Sequence, residues 1–268
     1  MFSAKGTYPA VGLFTPTHII SIIICLVLIA ILVFVSREIS REKYFKYLRI
    51  VTIVVTIVEI FDICWSLAQG YTKVRIWLPL YFCSLYIYSL WSTWSTNKFI
   101  RDCGLSFFAM GCIVAGIAFI VFPTTSFSGY PIFHYKCIYS MLYHSAMVYT
   151  GIMLFVTRSL EINGQNVLKY ILFCLVFMTL AIVLNIIFNA NFMFLDNPAN
   201  IPIPALFAIH NFSPILYTTV MILCHLALGP ITLAIYAIFH HARASREIPA
   251  VEIDAIVVDE DELKQREI

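Results

Sequence analysis

Seven stretches of this chain read as long and apolar enough to cross a bilayer, and that leaves it few other ways to fold. They lie at about 18–36, 50–68, 76–95, 103–122, 137–157, 170–188 and 214–239. A hydrocarbon core of about 30 Å needs roughly 20 helical residues to span it. The run from Cys103 to Phe122 carries no charged residue at all. Lipid offers no water to backbone N–H and C=O groups, so each run is expected to be a helix that satisfies its own. Only 12% of the residues are charged and 61% are hydrophobic, about half the charged share of a soluble domain. The expectation is an all-α, polytopic membrane bundle of seven transmembrane helices. Pro79 and Pro230 fall inside two of the runs and predict kinks. The first run is followed by charges and not by a small-residue cleavage site, so it reads as a retained helix.

The basic residues orient this bundle. Arg37, Arg41, Lys43, Lys46 and Arg49 crowd one connection. Lys98, Arg101, Arg158, Lys169 and the basic residues after residue 240 fall on the same side, 13 in all. The opposite side has only Lys5, Lys73, Arg75 and Lys136. Positive residues favour the cytosolic face, which predicts the N-terminus outside and the C-terminus inside. Residues 1–240 then form the transmembrane domain. Residues 241–268 hold 8 acidic and 4 basic side chains and read as a solvated, disordered cytosolic tail, with a cytosolic protein partner as the alternative use. No basic, aromatic-rich stretch suggests nucleic acid.

Ionisable side chains at hydrocarbon depth are expensive, so those present carry the information. Glu59 and Asp62 are the only acids inside the seven runs, and their spacing puts them on one helical face. Counting ~1.5 Å per residue, Asp62 lies ~9 Å and Glu59 ~14 Å from the outer end of the second run. Cys83 and His144 each lie ~10 Å in from the same side. Asn185, Asn191 and His18 fall near the outer ends of their runs. The 8 cysteines form no CxxC pair and sit in apolar stretches, which argues against a disulfide framework or a zinc site.

A thiol, an imidazole and a carboxylate at one depth are what nucleophilic acyl transfer needs. Histidine takes the thiol proton, and a carboxylate or amide such as Asp62 or Asn185 fixes the imidazole tautomer. The same residues allow other readings. Glu59, Asp62, His144 and His225 could form a proton or cation pathway, or a non-catalytic structural protein could use them as interhelical struts. Glycine-rich phosphate loops, GxSxG elbows and HExxH motifs are absent.

Three segments in order carry a family resemblance: Leu78-Pro79-Leu80-Tyr81-Phe82-Cys83-Ser84-Leu85, Tyr143-His144-Ser145-Ala146-Met147-Val148, and Asn185 through Asn191-Phe192-Met193-Phe194-Leu195. With Phe14-Thr15-Pro16-Thr17-His18, they resemble the YwaF-like bacterial integral membrane proteins, related to the eukaryotic transmembrane protein 164 acyltransferases. The resemblance implies movement of fatty acyl chains between membrane phospholipids, with Cys83 and His144 as the catalytic pair and no cofactor. Tyr81 departs from it, standing where the family motif has histidine.

Overall fold

The computed structural model describes residues 1–199, 201 and 203–238; the acidic tail 241–268 lies outside them. Among the described residues the chain is helical throughout, with no strand. Helix α1 is Pro16–Ser36, α2 Arg41–Ala68, α3 Val74–Trp77, α4 Leu85–Ser92, α5 Lys98–Phe107 and α6 Ile113–Val121. A π-helical turn, Phe108–Cys112, joins α5 to α6. Then follow α7 Tyr135–Val156, α8 Gly164–Phe188, α9 Pro204–Phe212 and α10 Pro214–Ile238. Short polar side chains start most of the long helices. The side chains of Thr15, Ser40, Asn97 and Asn163 accept first-turn N–H groups of α1, α2, α5 and α8, satisfying donors that the helix itself leaves free.

Five helices are long and apolar enough to cross a membrane: Pro16–Ser36, Arg41–Ala68, Lys98–Val121, Gly164–Phe188 and Pro214–Ile238. They correspond to five of the seven apolar runs. The other two differ, each for a physical reason.

The run at 76–95 is broken, not kinked. Leu78 turns extended before Pro79 (φ −113°, ψ 106°), because a proline ring crowds a helical residue in front of it. The chain passes through tight turns before α4 starts at Leu85, and α4 has only 8 residues. At ~1.5 Å each they cover ~12 Å, well short of a bilayer.

The run at 137–157 forms a 22-residue helix, α7, long enough to cross. It is too polar to count with the five, because Tyr135, Lys136, Tyr139, Ser140, Tyr143, His144, Ser145, Tyr149 and Thr150 interrupt its apolar residues. Burial explains the difference. Helix α7 packs against α1, α2 and α6, and thirteen of its residues, including Tyr143, His144, Ser145 and Thr150, are buried. A helix surrounded by protein needs partners for polar groups more than it needs hydropathy.

Two glycines let α7 lie close to its neighbour. A Cβ at Gly116 of α6 would stand 2.8 Å from the His144 carbonyl oxygen, and one at Gly151 would stand 2.9 Å from the Phe108 carbonyl oxygen. Lipid tails supply no hydrophobic drive between helices, so close backbone approach of this kind is a main source of packing energy.

Candidate functional site: a tyrosine seam ending at Cys83

Three tyrosines on one stripe of α7 organise the polar interior. Tyr135, Tyr139 and Tyr143 are four residues apart, so they stack along a single helical face. The Tyr135 hydroxyl donates to Asp62 Oδ1 at 2.9 Å, and the Tyr139 hydroxyl donates to Glu59 Oε2 at 2.6 Å. The Tyr143 hydroxyl donates to the backbone carbonyl of Cys83 at 3.2 Å. Going up α7 means going down α2, from Asp62 to Glu59, so the two helices are antiparallel and their spacings match. Both carboxylates thus face α7.

Lys136 completes the first rung. Its ammonium lies 2.7 Å from Asp62 Oδ1 and 2.8 Å from Oδ2, donates to Ser66 Oγ at 3.0 Å, and sits 5.3 Å above the Trp65 ring. Both side chains are mostly buried, at 19% and 16% exposure. Away from water such charges persist only when paired and hydrogen-bonded.

Cys83 lies in the turn created by Pro79, one residue before Ser84, the N-cap of α4. Its carbonyl accepts from the Tyr86 N–H at 3.1 Å as well as from Tyr143. The thiol is free and partly exposed. On one side of Cys83, the Phe82 ring packs 4.4 Å from the His225 ring of α10. Tyr81, the departure from the family motif, packs against Phe192 and Phe194.

His144 follows Tyr143 but points about 100° away around the helix, toward α6. Its ring stacks on Phe119 with centroids 3.6 Å apart and planes 5° from parallel. Nδ1 lies 2.6 Å from the Ser140 carbonyl oxygen. A carbonyl only accepts, so Nδ1 carries the proton and the neutral ring keeps a bare lone pair on Nε2. That nitrogen is buried and has no hydrogen-bond partner among the described residues. No hydrogen bond joins His144 to Cys83; the α7 side chain that reaches the Cys83 turn is Tyr143.

The remaining polar residues singled out from the sequence occupy separate places. Asn185 Nδ2 donates to the Phe192 carbonyl at 3.2 Å, and its Oδ1 accepts from the Phe192 N–H at 2.7 Å. Asn191 bonds the backbone of Asp196 and Asn197. His18 accepts from the Phe14 N–H at Nδ1, and its Nε2 lies 3.2 Å from the Ile120 carbonyl. The fold therefore brings Glu59, Asp62 and Cys83 onto one seam and sets Asn185, Asn191 and His18 to holding loops. Ser140, and neither Asp62 nor Asn185, bonds the His144 ring. Sequence reasoning gave no site role to Tyr135, Tyr139, Tyr143 or Lys136. The four-residue tyrosine spacing was the available signal.

Buried ionic and hydroxyl groups on a tyrosine-striped helix, in a chain with five membrane-length apolar helices, define a multi-pass integral membrane protein. The family follows from comparison with known sequences. The model of the TMEM164 family matches residues 13–232, most of the chain, so the protein belongs to the TMEM164 family. No curated protein and no solved structure matches it significantly.

Proposed function

We propose that this protein moves fatty acyl chains between phospholipids inside the membrane, with Cys83 as the acyl carrier and His144 as its proton acceptor. One observation carries the reading. Cys83, a free thiol at the N-terminal end of a buried helix, is held by Tyr143, and the next residue of α7 is a histidine with a bare, buried Nε2. A buried acceptor without a partner calls for an explanation, and a catalytic base is one.

In this reading a phospholipid enters sideways between helices. The thiol proton passes to His144 Nε2 as sulfur attacks the ester carbonyl, the carbon–oxygen bond breaks, and the lysolipid leaves with that proton. The hydroxyl of a second lysolipid then attacks the thioester and frees the thiol. The donor phospholipid already supplies an activated acyl group, so no cofactor is needed. His144 rests against Phe119 on the α6 side of α7, so the reading requires its ring to turn toward the Cys83 segment once the ester is bound. The reading also takes α7 and the broken α3–α4 segment as completing seven crossings, with the N-terminus outside and the C-terminus in the cytosol. The acidic tail remains available to a cytosolic partner.

Purified protein in liposomes with an isotope-labelled phospholipid donor and a lysolipid acceptor tests this. Wild type should scramble the label, and Cys83→Ala and His144→Ala should each abolish exchange while Cys112→Ala and Cys174→Ala retain it. Undiminished exchange in Cys83→Ala would remove the thiol from the reaction. The carboxylate–tyrosine rungs support a rival reading as a proton pathway. If Asp62→Asn ended proton flux into liposomes while wild type showed no acyl exchange, that reading would replace this one.

A further inference from the structure

We infer that Tyr143 is a positioning residue for Cys83, fixing the thiol's place through the backbone of the turn that carries it; this rests on the acyl-transfer reading. Three observations point there.

First, the Cys83 turn precedes the regular part of α4 and is tied to it by short turn bonds, Ser84 N–H to Tyr81 O at 2.9 Å and Tyr86 N–H to Cys83 O at 3.1 Å. Pro79 has no N–H, the chain before it is extended, and α4 begins only at Leu85. Turn bonds of this i→i+3 kind hold a segment less firmly than a full helix, so a contact from a packed neighbour adds to its order. Second, the Tyr143 hydroxyl is the one side-chain hydrogen bond between α7 and residues 79–84 among the described residues. It meets the carbonyl of Cys83 itself. Third, Tyr143 is rigid. It is buried at 7% exposure and packs edge-on against Tyr86 at 5.5 Å and Tyr139 at 5.6 Å. Tyr86 in turn accepts a hydrogen bond from Thr150 Oγ1 at 3.2 Å. Tyr139 is anchored by Glu59. A tyrosine braced on both sides transmits the position of α7 to the turn.

The geometry has a consequence for the proposed pair. Tyr143 and His144 are successive residues, so one backbone unit of α7 sets both the sulfur's anchor and the base. A shift of α7 moves the two together.

Alkylation of Cys83 tests the inference without any lipid substrate. Wild type, Tyr143→Phe and Tyr149→Phe are treated in nanodiscs with N-ethylmaleimide, and labelling at Cys83 is followed by site-resolved mass spectrometry. Tyr149 donates to Ser36 Oγ at 2.9 Å and serves as a control for losing a hydroxyl bond elsewhere on α7. Losing one hydrogen bond to the turn should change the Cys83 labelling rate by about fivefold, upward as the turn loosens. Tyr149→Phe should label like wild type. Lipid exchange by Tyr143→Phe should fall about tenfold in kcat with KM nearly unchanged. Replacing Tyr143 by 4-aminophenylalanine, which keeps a donor at the ring tip, should restore both rates. Unchanged Cys83 labelling in Tyr143→Phe overturns the inference, whatever happens to exchange. So does a Tyr143→Phe protein that fails to fold, since the hydroxyl would then brace the whole bundle. Faster labelling alongside no exchange in wild type would sink the acyl-transfer reading and leave the positioning role standing.

Discussion

The side chain of Asn185 closes a two-bond ring with the backbone of Phe192. Nδ2 donates to the Phe192 carbonyl at 3.2 Å, and Oδ1 accepts from the Phe192 N–H at 2.7 Å. The segment it grips is strained. Asn189, Met193 and Phe194 all have positive φ, at 47°, 55° and 55°. For residues with a Cβ that conformation costs on the order of 1–2 kcal/mol each. From α10 the Tyr217 hydroxyl and Thr218 Oγ1 hold the same segment, donating to Phe194 O and Leu195 O at 2.7 Å each.

Replacing Asn185 by Leu should therefore release the loop. The buried Phe192 N–H would lose its partner, at roughly 1–3 kcal/mol for an unsatisfied group, while the Phe192 carbonyl would keep the Leu195 N–H at 3.2 Å. The measurements are thermal unfolding in detergent and hydrogen exchange at residues 190–195. Protection of the Phe192 amide equal to wild type would show that Tyr217 and Thr218 hold the loop unaided. Asn185→Asp keeps the acceptor and loses the donor, so it should fall between the two.

The Asp62–Lys136 pair joins α2 to α7 with both side chains mostly buried. Lys136→Met should destabilise the bundle more than Asp62→Leu and Lys136→Met combined. The single change strands a carboxylate away from water, at about 3–5 kcal/mol for a fully buried pair and less here. The double change removes both charges and leaves only the neutral Tyr135 and Ser66 hydroxyls. Unfolding of the two single variants and the double variant checks this as a double-mutant cycle. Additive losses would mean that the two charges do not interact.

How far the sequence carried the fold depended on which signal each segment obeyed. Helices α1, α2, α8 and α10 leave much of their apolar surface uncovered by protein, and hydropathy located them. Helix α2 nevertheless begins nine residues and α8 six residues ahead of the predicted runs, because their charged and polar first turns carry no hydropathy. Helix α7 obeys burial instead, so its polar residues mattered more than its mean hydropathy. Pro79 was visible and predicted a kink in the run at 76–95, but the run breaks there instead. The depth argument placed Cys83 and His144 at one level and was silent on rotation about α7. Tyr143, one residue earlier, therefore took the contact. Asn185 and Asn191 were read as possible site residues because polar side chains near a span end are rare, and no pattern announced that strained backbone would engage them.

Gly116 sets the approach of α6 to α7. An added methyl would lie 2.8 Å from the His144 carbonyl oxygen and 2.6 Å from Val148 Cγ2. The helix backbone cannot give way as a flexible side chain would. Gly116→Ala should cost about 1–3 kcal/mol, the usual range for overpacking, and Gly116→Val more. Helix α7 carries Tyr143 and His144, so the displacement should also lower any Cys83-dependent lipid exchange. A Gly116→Ala protein with wild-type thermal stability would show that α6 slides freely against α7.

The last prediction concerns pH and the segment ahead of α1. His134, the N-cap of α7 and outside its helix, accepts the Lys136 N–H at Nδ1 and bonds the Ser3 carbonyl through Nε2 at 3.0 Å. The Gly6, Val11 and Gly12 N–H groups bond Gly129, Tyr130 and Phe127, so residues 3–12 form a strap across the loop before α7. Burial holds the His134 pKa below the ordinary value of 6.5, and the Lys136 charge adds to that effect while Ser3 and Asp62 oppose it. The folded ring is thus neutral when an unfolded one would start to take up a proton. Its contribution to stability is complete above about pH 6.5 and is lost as pH falls below that value. Protonation puts a second N–H against the Lys136 N–H and removes the cap. Hydrogen exchange at Gly6 and Val11 should accelerate between pH 6.5 and 5 after correction for intrinsic rates, and the bundle should melt earlier over the same interval. His134→Asn keeps a cap acceptor and cannot titrate, so its corrected exchange should be flat with pH. A wild-type profile equally flat would show that His134 stays neutral through this range and that the strap does not respond to acid.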